Sequence, residues 1–389
     1  MKKILSVITL ESSAENFISD QLAFFQQNGD YECHLICSPH PNLEKYAKTN
    51  GICSYAVQIE RPLSPIKDVR AFFAILKYMR NNRFDILIAH SFPKACLLSM
   101  TAGKIAGISH RIELAHGALQ EGLKGLMKKF VIFSERHNSR LAEIVVNVSQ
   151  SVALRRQKDR IDKPSKQKLL SKGTSNGIDT IHKFNPALVS CEEVKKIKKE
   201  LGITENDFVI GFCGRLVGDK GIVELLDGFQ EIKRRHPDKS IKLLIIGNPE
   251  QRDALPQHTL DAINSSPDII FTGRVPYEII QNYYLPMDVF ILPSYREGFP
   301  TVVLEASAME RPVITTRKTG CIDSIVENET GVFVDIEGSS IADGIEKFFD
   351  KEYAERLGKN GRRWVVENFE HEIVREAMLN LLNELTQNQ

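Results

Sequence analysis

Short apolar runs of strand length recur all along this chain, separated by stretches of helical spacing. No other feature restricts the fold so strongly. Alternating strand and helix patterns call for parallel pairing, with helices covering the sheet faces. In the first half, strands are expected at residues 4–9, 32–37, 54–59, 85–89, 111–115 and 144–148. Helices are expected near 14–27, 67–81, 95–106 and 127–140. A second series begins at 208–213 and continues at 241–246, 269–272, 288–292, 313–315 and 331–334. Between the two series, Asn176-Gly177 is a turn signal. A charged helix at 191–201 opens the second series, and a long amphipathic tail runs from Trp364. A chain of 389 residues is long enough for two domains of ordinary size.

Composition narrows the class. The chain is 42% hydrophobic and 26% charged, as expected of a globular protein, and no apolar run approaches membrane-spanning length. A net charge of +1 gives no global reason to bind nucleic acid. The apolar start Met1–Ile8 gives way to polar residues from Glu11 without a small-residue cleavage site, so it reads as a first strand rather than a signal peptide. The seven cysteines are scattered and form no C-x-x-C pair. That excludes the usual zinc and thioredoxin spacings and is simplest as reduced thiols in a cytoplasmic compartment.

The stretch from Leu292 to Glu305 carries the most chemistry. A buried parallel strand at 288–292 runs into the turn Gly298-Phe299-Pro300. Pro300 has the fixed φ that suits a first helical position, and a helix is expected from Thr301. A helix start offers free backbone N–H groups, which attract phosphate. Glu297 in the turn and Glu305 within the helix are unsuited to a phosphate but suited to sugar or ribose hydroxyls. A capped helix with two solvated glutamates explains this stretch alone equally well.

Upstream, Gly211–Gly221 is a strand leading into a glycine-rich loop with two cations, Arg215 and Lys220. The fork of one and the point charge of the other suit a diphosphate. The loop is not a Walker A sequence, and the chain has no G-x-G-x-x-G and no D-x-D. His90 and His116 each follow an expected strand of the first series, at the edge where open α/β sheets place ligands. Lone histidines are more often structural; two on one edge favour function. The loop Leu10–Asn16 after the first strand holds Ser12-Ser13, small enough for close approach to a ligand. Cys321 has no basic neighbour in sequence and reads as a small packing residue.

From Glu121 to Lys172 there are 13 Lys/Arg against 5 Asp/Glu, a local excess of 8. Lys124, Lys128, Lys129, Arg136, Arg140, Arg155, Arg156, Lys158 and Arg160 contribute, with Phe130–Phe133 interleaved. Such a run is either a solvated face or an anionic-membrane contact.

Glu297-x7-Glu305 in the setting P-S-x-x-E-G-x-P-x-x-x-x-E-A resembles the signature of the retaining glycosyltransferases of family four. Further elements are similar to its capsular-polysaccharide branch: His90-Ser91-Phe92-Pro93-Lys94-Ala95, His116-Gly117, Gly173–Gly177 in the form G-[ST]-x-N-G, Gly214-Arg215-x4-Lys220-Gly221 and Gly320-Cys321-x-Asp323. The resemblance spans nearly the whole chain. It implies an α/β GT-B fold, with two facing Rossmann-like domains and a deep cleft between them. An acceptor-binding domain would span 1–180, a nucleotide-sugar domain 181–368, and a final helix at about 369–389 would cross back to the first.

The resemblance also implies roles. Arg215 and Lys220 hold the donor diphosphate, Glu297 and His116 meet the donor sugar, and Glu305 holds the ribose. Val275 borders the base, Gly298, Phe299, Pro300 and Thr301 line the phosphate site, and Gly320 lies near the sugar. Ser12, Ser13 and His90 fall on the acceptor side, where many members carry Gly-Gly in place of the two serines. The expected function is therefore retaining transfer of a hexosyl or N-acetylhexosaminyl group from a nucleotide-diphosphate sugar, UDP-linked as the resemblance to the branch implies. The acceptor is lipid-linked, on a polyprenyl diphosphate, or a saccharide, in surface-polysaccharide assembly. No metal and no cofactor is expected, and the enzyme would sit peripherally at the inner face of the cytoplasmic membrane. Rival readings are a sugar-nucleotide epimerase of the same fold and a catalytically silent nucleotide-sugar-binding protein.

Overall fold

The computed structural model describes residues 1–9, 18, 20–60, 64–91 and 93–387. The chain divides into two compact units, Met1–Gly177 with Glu372–Gln389, and Ile178–His371.

The first unit is built on seven parallel strands: β1 (Lys2–Val7), β2 (Tyr31–Cys37), β3 (Cys53–Ala56), β4 (Ile86–His90), β5 (His110–Ala115), β6 (Ile144–Asn147) and β7 (Gln167–Leu169). Their order is β3-β2-β1-β4-β5-β6-β7. Apolar residues on both faces bury β1 and β4, as a sheet covered by helices on either side requires. Leu5, Val7, Leu87 and Ala89 pack with Ile75, Met79, Cys96 and Met100 from the helices Pro65–Asn82 and Pro93–Ala106. The chain turns in opposite directions from β1, to β2 on one side and β4 on the other, so the switch point lies between β1 and β4.

The second unit repeats the plan with six parallel strands: β8 (Asp207–Cys213), β9 (Ser240–Ile246), β10 (Ile269–Gly273), β11 (Val289–Leu292), β12 (Val313–Thr316) and β13 (Gly331–Val334). The order β10-β9-β8-β11-β12-β13 is that of a Rossmann sheet, with its switch point between β8 and β11. The register Val289↔Ile210 and Phe290↔Gly211 puts the carboxyl ends of those two strands side by side.

Most expected elements are present within a few residues. The first expected helix, at 14–27, begins among the described residues at Gln21 and ends at Asn28. Two short helices, Leu43–Thr49 and Gln150–Lys158, and the three-residue edge strand β7 were not anticipated. The tail from Trp364 is not one helix. Trp364 lies in Lys351–Phe369, and a second helix, His371–Gln387, starts after a break at Glu370. At that break, Glu370 accepts hydrogen bonds from the backbone N–H (2.8 Å) and hydroxyl (2.5 Å) of Thr180. The last helix is bound into the first unit. Arg375 reaches Asn176 Oδ1 (3.1 Å) and both carboxylate oxygens of Asp20, and Tyr31 donates to Asn383 (2.8 Å). The Asn176-Gly177 turn thus supplies a hydrogen-bond acceptor for the terminal helix.

Candidate active site

In the second unit the loops leaving β8 and β11 meet at the switch point. Lys220 Nζ donates to Glu297 Oε1, and Ser294 Oγ donates to the same oxygen at 2.8 Å. The backbone joins the two loops as well: Tyr295 N–H donates to Asp219 O at 2.9 Å, and the Arg296 guanidinium grips Asp219. Gly221 has φ +69, and a Cβ there would stand 2.2 Å from Pro293 O, so only glycine lets the loops approach this closely. A third loop closes on Glu297 from the β12 side. Glu297 N–H donates to Thr319 O at 2.8 Å, and a Cβ on Gly320 (φ +79) would lie 2.4 Å from Glu297 O. Lys220, Glu297, Ser294 and Gly320, distant in sequence, are therefore one constellation.

The turn Gly298-Phe299-Pro300 leads into the helix Thr301–Ala308. The helix starts at Thr301 as expected, with Pro300 at the N-cap rather than the first helical position and its ψ of 94 still extended. A proline N-cap has no side-chain acceptor for the first-turn N–H groups, and none is supplied by capping here. Those groups follow Glu297 closely in sequence and suit an anion.

Glu305 is buried and accepts a hydrogen bond from Tyr284 Oη at 2.6 Å. Burial raises its carboxyl above the usual range, while the Tyr284 bond and the Lys183 ammonium oppose that. Lys183 stands 3.5 Å over the Tyr277 ring, and burial lowers its ammonium. Tyr284, Lys183 and Asp219 were missed from the sequence. Tyr284 and Lys183 lie outside the motifs, and only the fold brings them there; Asp219 is one of the unspecified positions of the Gly214–Gly221 motif. Arg215 is more loosely held: its side chain is 60% exposed and it pairs with Glu250 at 2.9 Å. Val275 follows β10, two strands from β8, and packs on the edge of the core. Cys321 is fully buried, and burial pushes its thiol up to about 12, as befits a packing residue.

In the first unit His90 closes β4 at the other switch point. Its Nε2 lies 3.1 Å from Ser6 Oγ on β1, and its Nδ1 lies 2.8 Å from His116 Nε2. Burial pushes the His90 imidazole down to about 3. Burial, and then the neighbouring His90, hold His116 well below the ordinary imidazole range. His116 N–H donates to Ser91 Oγ at 3.0 Å, which fixes the turn after β5. With both rings held below the ordinary imidazole range, one proton bridges His90 Nδ1 and His116 Nε2. Ser12 and Ser13 lie outside the described residues.

The basic segment needs correction. Arg156 is not a surface cation: it is fully buried, hydrogen-bonded to Glu113 (2.8 Å), Asp162 (2.6 Å) and Glu135. Arg155 pairs with Asp159 at 3.0 Å, and Arg136 donates to the carbonyls of Asp159 and Arg160. The apolar set also shifts. Val131 is buried and Ile132 half-buried, whereas Leu126 (83% exposed), Met127, Phe130 and Phe133 (65%) are open. Leu126, Phe130 and Phe133 are spaced to share one face of the helix Gly125–Leu141, with Lys124, Lys129 and Arg140 also exposed. The helix Pro65–Asn82 carries another exposed stripe, Ile66, Val69 and Phe73, amid Lys67, Arg70 and Lys77.

Comparison with known proteins follows the same division. Residues 193–364 match the family model "Glycosyl transferases group 1", and residues 6–149 match "Glycosyl transferase 4-like". The capsular polysaccharide biosynthesis glycosyltransferase CapM of Staphylococcus aureus is 29% identical over 98% of this chain and 97% of its own. The UDP-Gal:alpha-D-GlcNAc-diphosphoundecaprenol alpha-1,3-galactosyltransferase of Escherichia coli is 25% identical over 88% of this chain and 86% of its own. The crystal structure of a glycosyltransferase from Rickettsia africae superposes with a TM-score of 0.82, at 19% identity, over 100% of this chain and 99% of that one. Two parallel Rossmann-like sheets and glycosyltransferase models matching residues 6–149 and 193–364, the second of them group 1, make this chain a glycosyltransferase with the GT-B fold.

Proposed function

We propose that the chain transfers a hexosyl or N-acetylhexosaminyl group, with retention at the anomeric carbon, from a UDP-linked sugar to a polyprenyl-diphosphate-linked or saccharide acceptor in surface-polysaccharide assembly. The observation that carries this reading is the Lys220–Glu297 pair at the β8/β11 switch point, beside a helix start. A cation, a carboxylate and backbone N–H groups in one place suit the two ends of a nucleotide sugar. The diphosphate takes the cation and the N–H groups, and the sugar hydroxyls take the carboxylate.

Departure of the nucleoside diphosphate builds negative charge on its leaving oxygen. Lys220, Arg215 and the N–H groups from Gly298 to Thr301 stabilise that charge. Glu297, released from Lys220 by the incoming diphosphate, accepts from the donor sugar. Glu305 accepts from the ribose, with Tyr284 Oη holding its other side in place. Val275 and Gly320 border the base and the sugar. His116 meets the sugar as a neutral imidazole, and His90, between Ser6 and His116, is a positioning residue that sets its tautomer. The cations take the place of a divalent ion, consistent with a chain that has no D-x-D. The exposed Leu126, Met127, Phe130 and Phe133 would rest peripherally on an anionic cytoplasmic membrane surface, where a polyprenyl-linked acceptor presents its sugar. The support is the exposed apolar face flanked by Lys124, Lys129 and Arg140, and the printed acceptor of the Escherichia coli relative.

Measuring nucleoside-diphosphate release from a panel of UDP-sugars, with and without polyprenyl-diphosphate-linked saccharide, tests this reading. Release should depend on acceptor and survive excess chelator. An epimerised donor without release identifies an epimerase, and binding without turnover identifies a silent binder. Loss of activity in chelator that manganese restores overturns metal independence.

A further inference from the structure

We propose that Glu32, His34 and Cys53 form a binding site for a divalent transition-metal ion of the zinc class, at the edge of the first sheet. Glu32 and His34 are two apart on β2 and so point to one face. Cys53 is the register partner of His34 on the edge strand β3, which puts its side chain beside the imidazole on that face. A ligating atom from each of the three lies within 4.8 Å of the other two. Around a tetrahedral zinc, with bonds of about 2.0–2.3 Å, ligand atoms stand about 3.4–3.8 Å apart. To reach that spacing, the 2.7 Å between His34 Nε2 and Glu32 Oε1 would open and the exposed Cys53 side chain would turn inward.

The surroundings match a metal-bound histidine. The second ring nitrogen, His34 Nδ1, is 2.7 Å from Tyr78 Oη, the kind of outer hydrogen bond that fixes a metal ligand's tautomer. Phe84 packs edge-on against the ring at 4.9 Å and the residue is buried, so the imidazole is already held in one orientation. Cys53 is exposed and supplies the entry path. Without metal, His34 Nε2–H donates to Glu32 Oε1 at 2.7 Å, and Tyr78 O–H donates to Nδ1. With metal, Nε2 binds the ion, the ring proton sits on Nδ1, and the Tyr78 hydroxyl turns to accept it. Carboxylate and thiolate together neutralise a divalent charge. Lys3 Nζ, 2.9 Å from Glu32 Oε1, holds the carboxylate in place beside His34. Strand β3 has four residues and none is buried, so a metal bridging to β2 would pin an otherwise weakly anchored edge.

The test uses the purified, reduced full chain and metal alone. Zinc is titrated against a chromophoric chelator, and cobalt is added separately to read thiolate-to-cobalt charge-transfer absorption. Wild type and Cys191→Ser, which removes the other exposed thiol, should each take up one zinc and show the cobalt band. Cys53→Ser should lose the band and bind zinc at least tenfold more weakly. Tyr78→Phe should keep the band and lose about 10–100-fold in affinity. Zinc should raise the melting temperature of wild type and not that of Cys53→Ser. No stoichiometric uptake by wild type, or equal uptake and equal absorption in Cys53→Ser, overturns the site.

Discussion

Lys220 is held by Glu297 and, in the proposed reaction, by the donor diphosphate as well. Its value depends on giving up the first partner for the second. Removing it leaves a carboxylate unpaired next to incoming negative charge, so Lys220→Ala loses a favourable contact and gains a repulsion. Arg215 starts from an exposed position beside Glu250, so Arg215→Ala subtracts only its own contact. Both variants should lose on the order of 10²-fold or more in turnover, by analogy with a removed oxyanion donor, and Lys220→Ala more than Arg215→Ala. Glu305→Ala should mainly raise KM for the donor, because a ribose contact is made equally in ground and transition states. Steady-state kinetics on the three variants checks this. Wild-type behaviour in all three would place the donor elsewhere.

The buried cluster around Arg156 belongs to the scale of elements. It joins β5 (Glu113), the helix Gly125–Leu141 (Glu135), the helix Gln150–Lys158 (Arg156) and the turn after it (Asp162). Three carboxyl groups face one guanidinium, so a proton kept by one of them relieves excess negative charge inside the unit. Burial pushes Glu113 up to about 8, with Arg156 acting against that shift. An acid whose folded value lies above its unfolded value binds more protons when folded. Its stability contribution is complete at low pH and is lost as pH rises, here between about 4.5 and about 8. Glu113→Gln keeps a neutral side chain of the same shape. The difference in denaturant stability between wild type and variant should therefore shift in the variant's favour from pH 6 to pH 8. A difference that stays constant, or moves the other way, removes the proton from Glu113.

This cluster also shows where reading the sequence stops. Arg155, Arg156 and Lys158 read together as basic surface, because a sequence does not reveal that three acids from other elements converge on the middle one. The helix Gln150–Lys158 was passed over for the same reason: its buried face includes an arginine, so its apolar period is weak. Strand β7, Gln-Lys-Leu at a sheet edge, has no alternation to detect. The central strands were legible because burial on both faces leaves continuous apolar runs. The switch-point constellation was legible where the local backbone demands glycine, at Gly221 and Gly320 beside charged residues. Contacts such as Tyr284–Glu305 and His90–His116 depend on which strands are neighbours, and a motif does not carry that information.

For the whole molecule, the proposed function asks how this chain would reach an acceptor rooted in lipid. Among the described residues no helix is long and apolar enough to span a bilayer. Leu126, Met127, Phe130 and Phe133 stay exposed on the helix Gly125–Leu141, at a cost that a water-facing helix has no reason to bear. Burying such side chains in the interfacial region is favourable, at roughly 25 cal/mol per Å² of apolar surface. Each nearby cation adds about 1 kcal/mol toward an anionic surface, screened beyond about 8 Å at physiological salt. The two contributions separate experimentally. Replacing Lys124, Lys128 and Lys129 with glutamate should weaken flotation with anionic vesicles and abolish most of its salt dependence. Phe130→Ser with Phe133→Ser should weaken flotation at every salt concentration. Neither set should unfold the protein, because Lys124, Lys129, Phe130 and Phe133 are exposed and Lys128 is only partly covered. Wild type should bind neutral vesicles poorly. If wild type and both variants float alike, or none floats at low salt, the exposed face is not a membrane contact and a water-soluble saccharide acceptor is favoured instead.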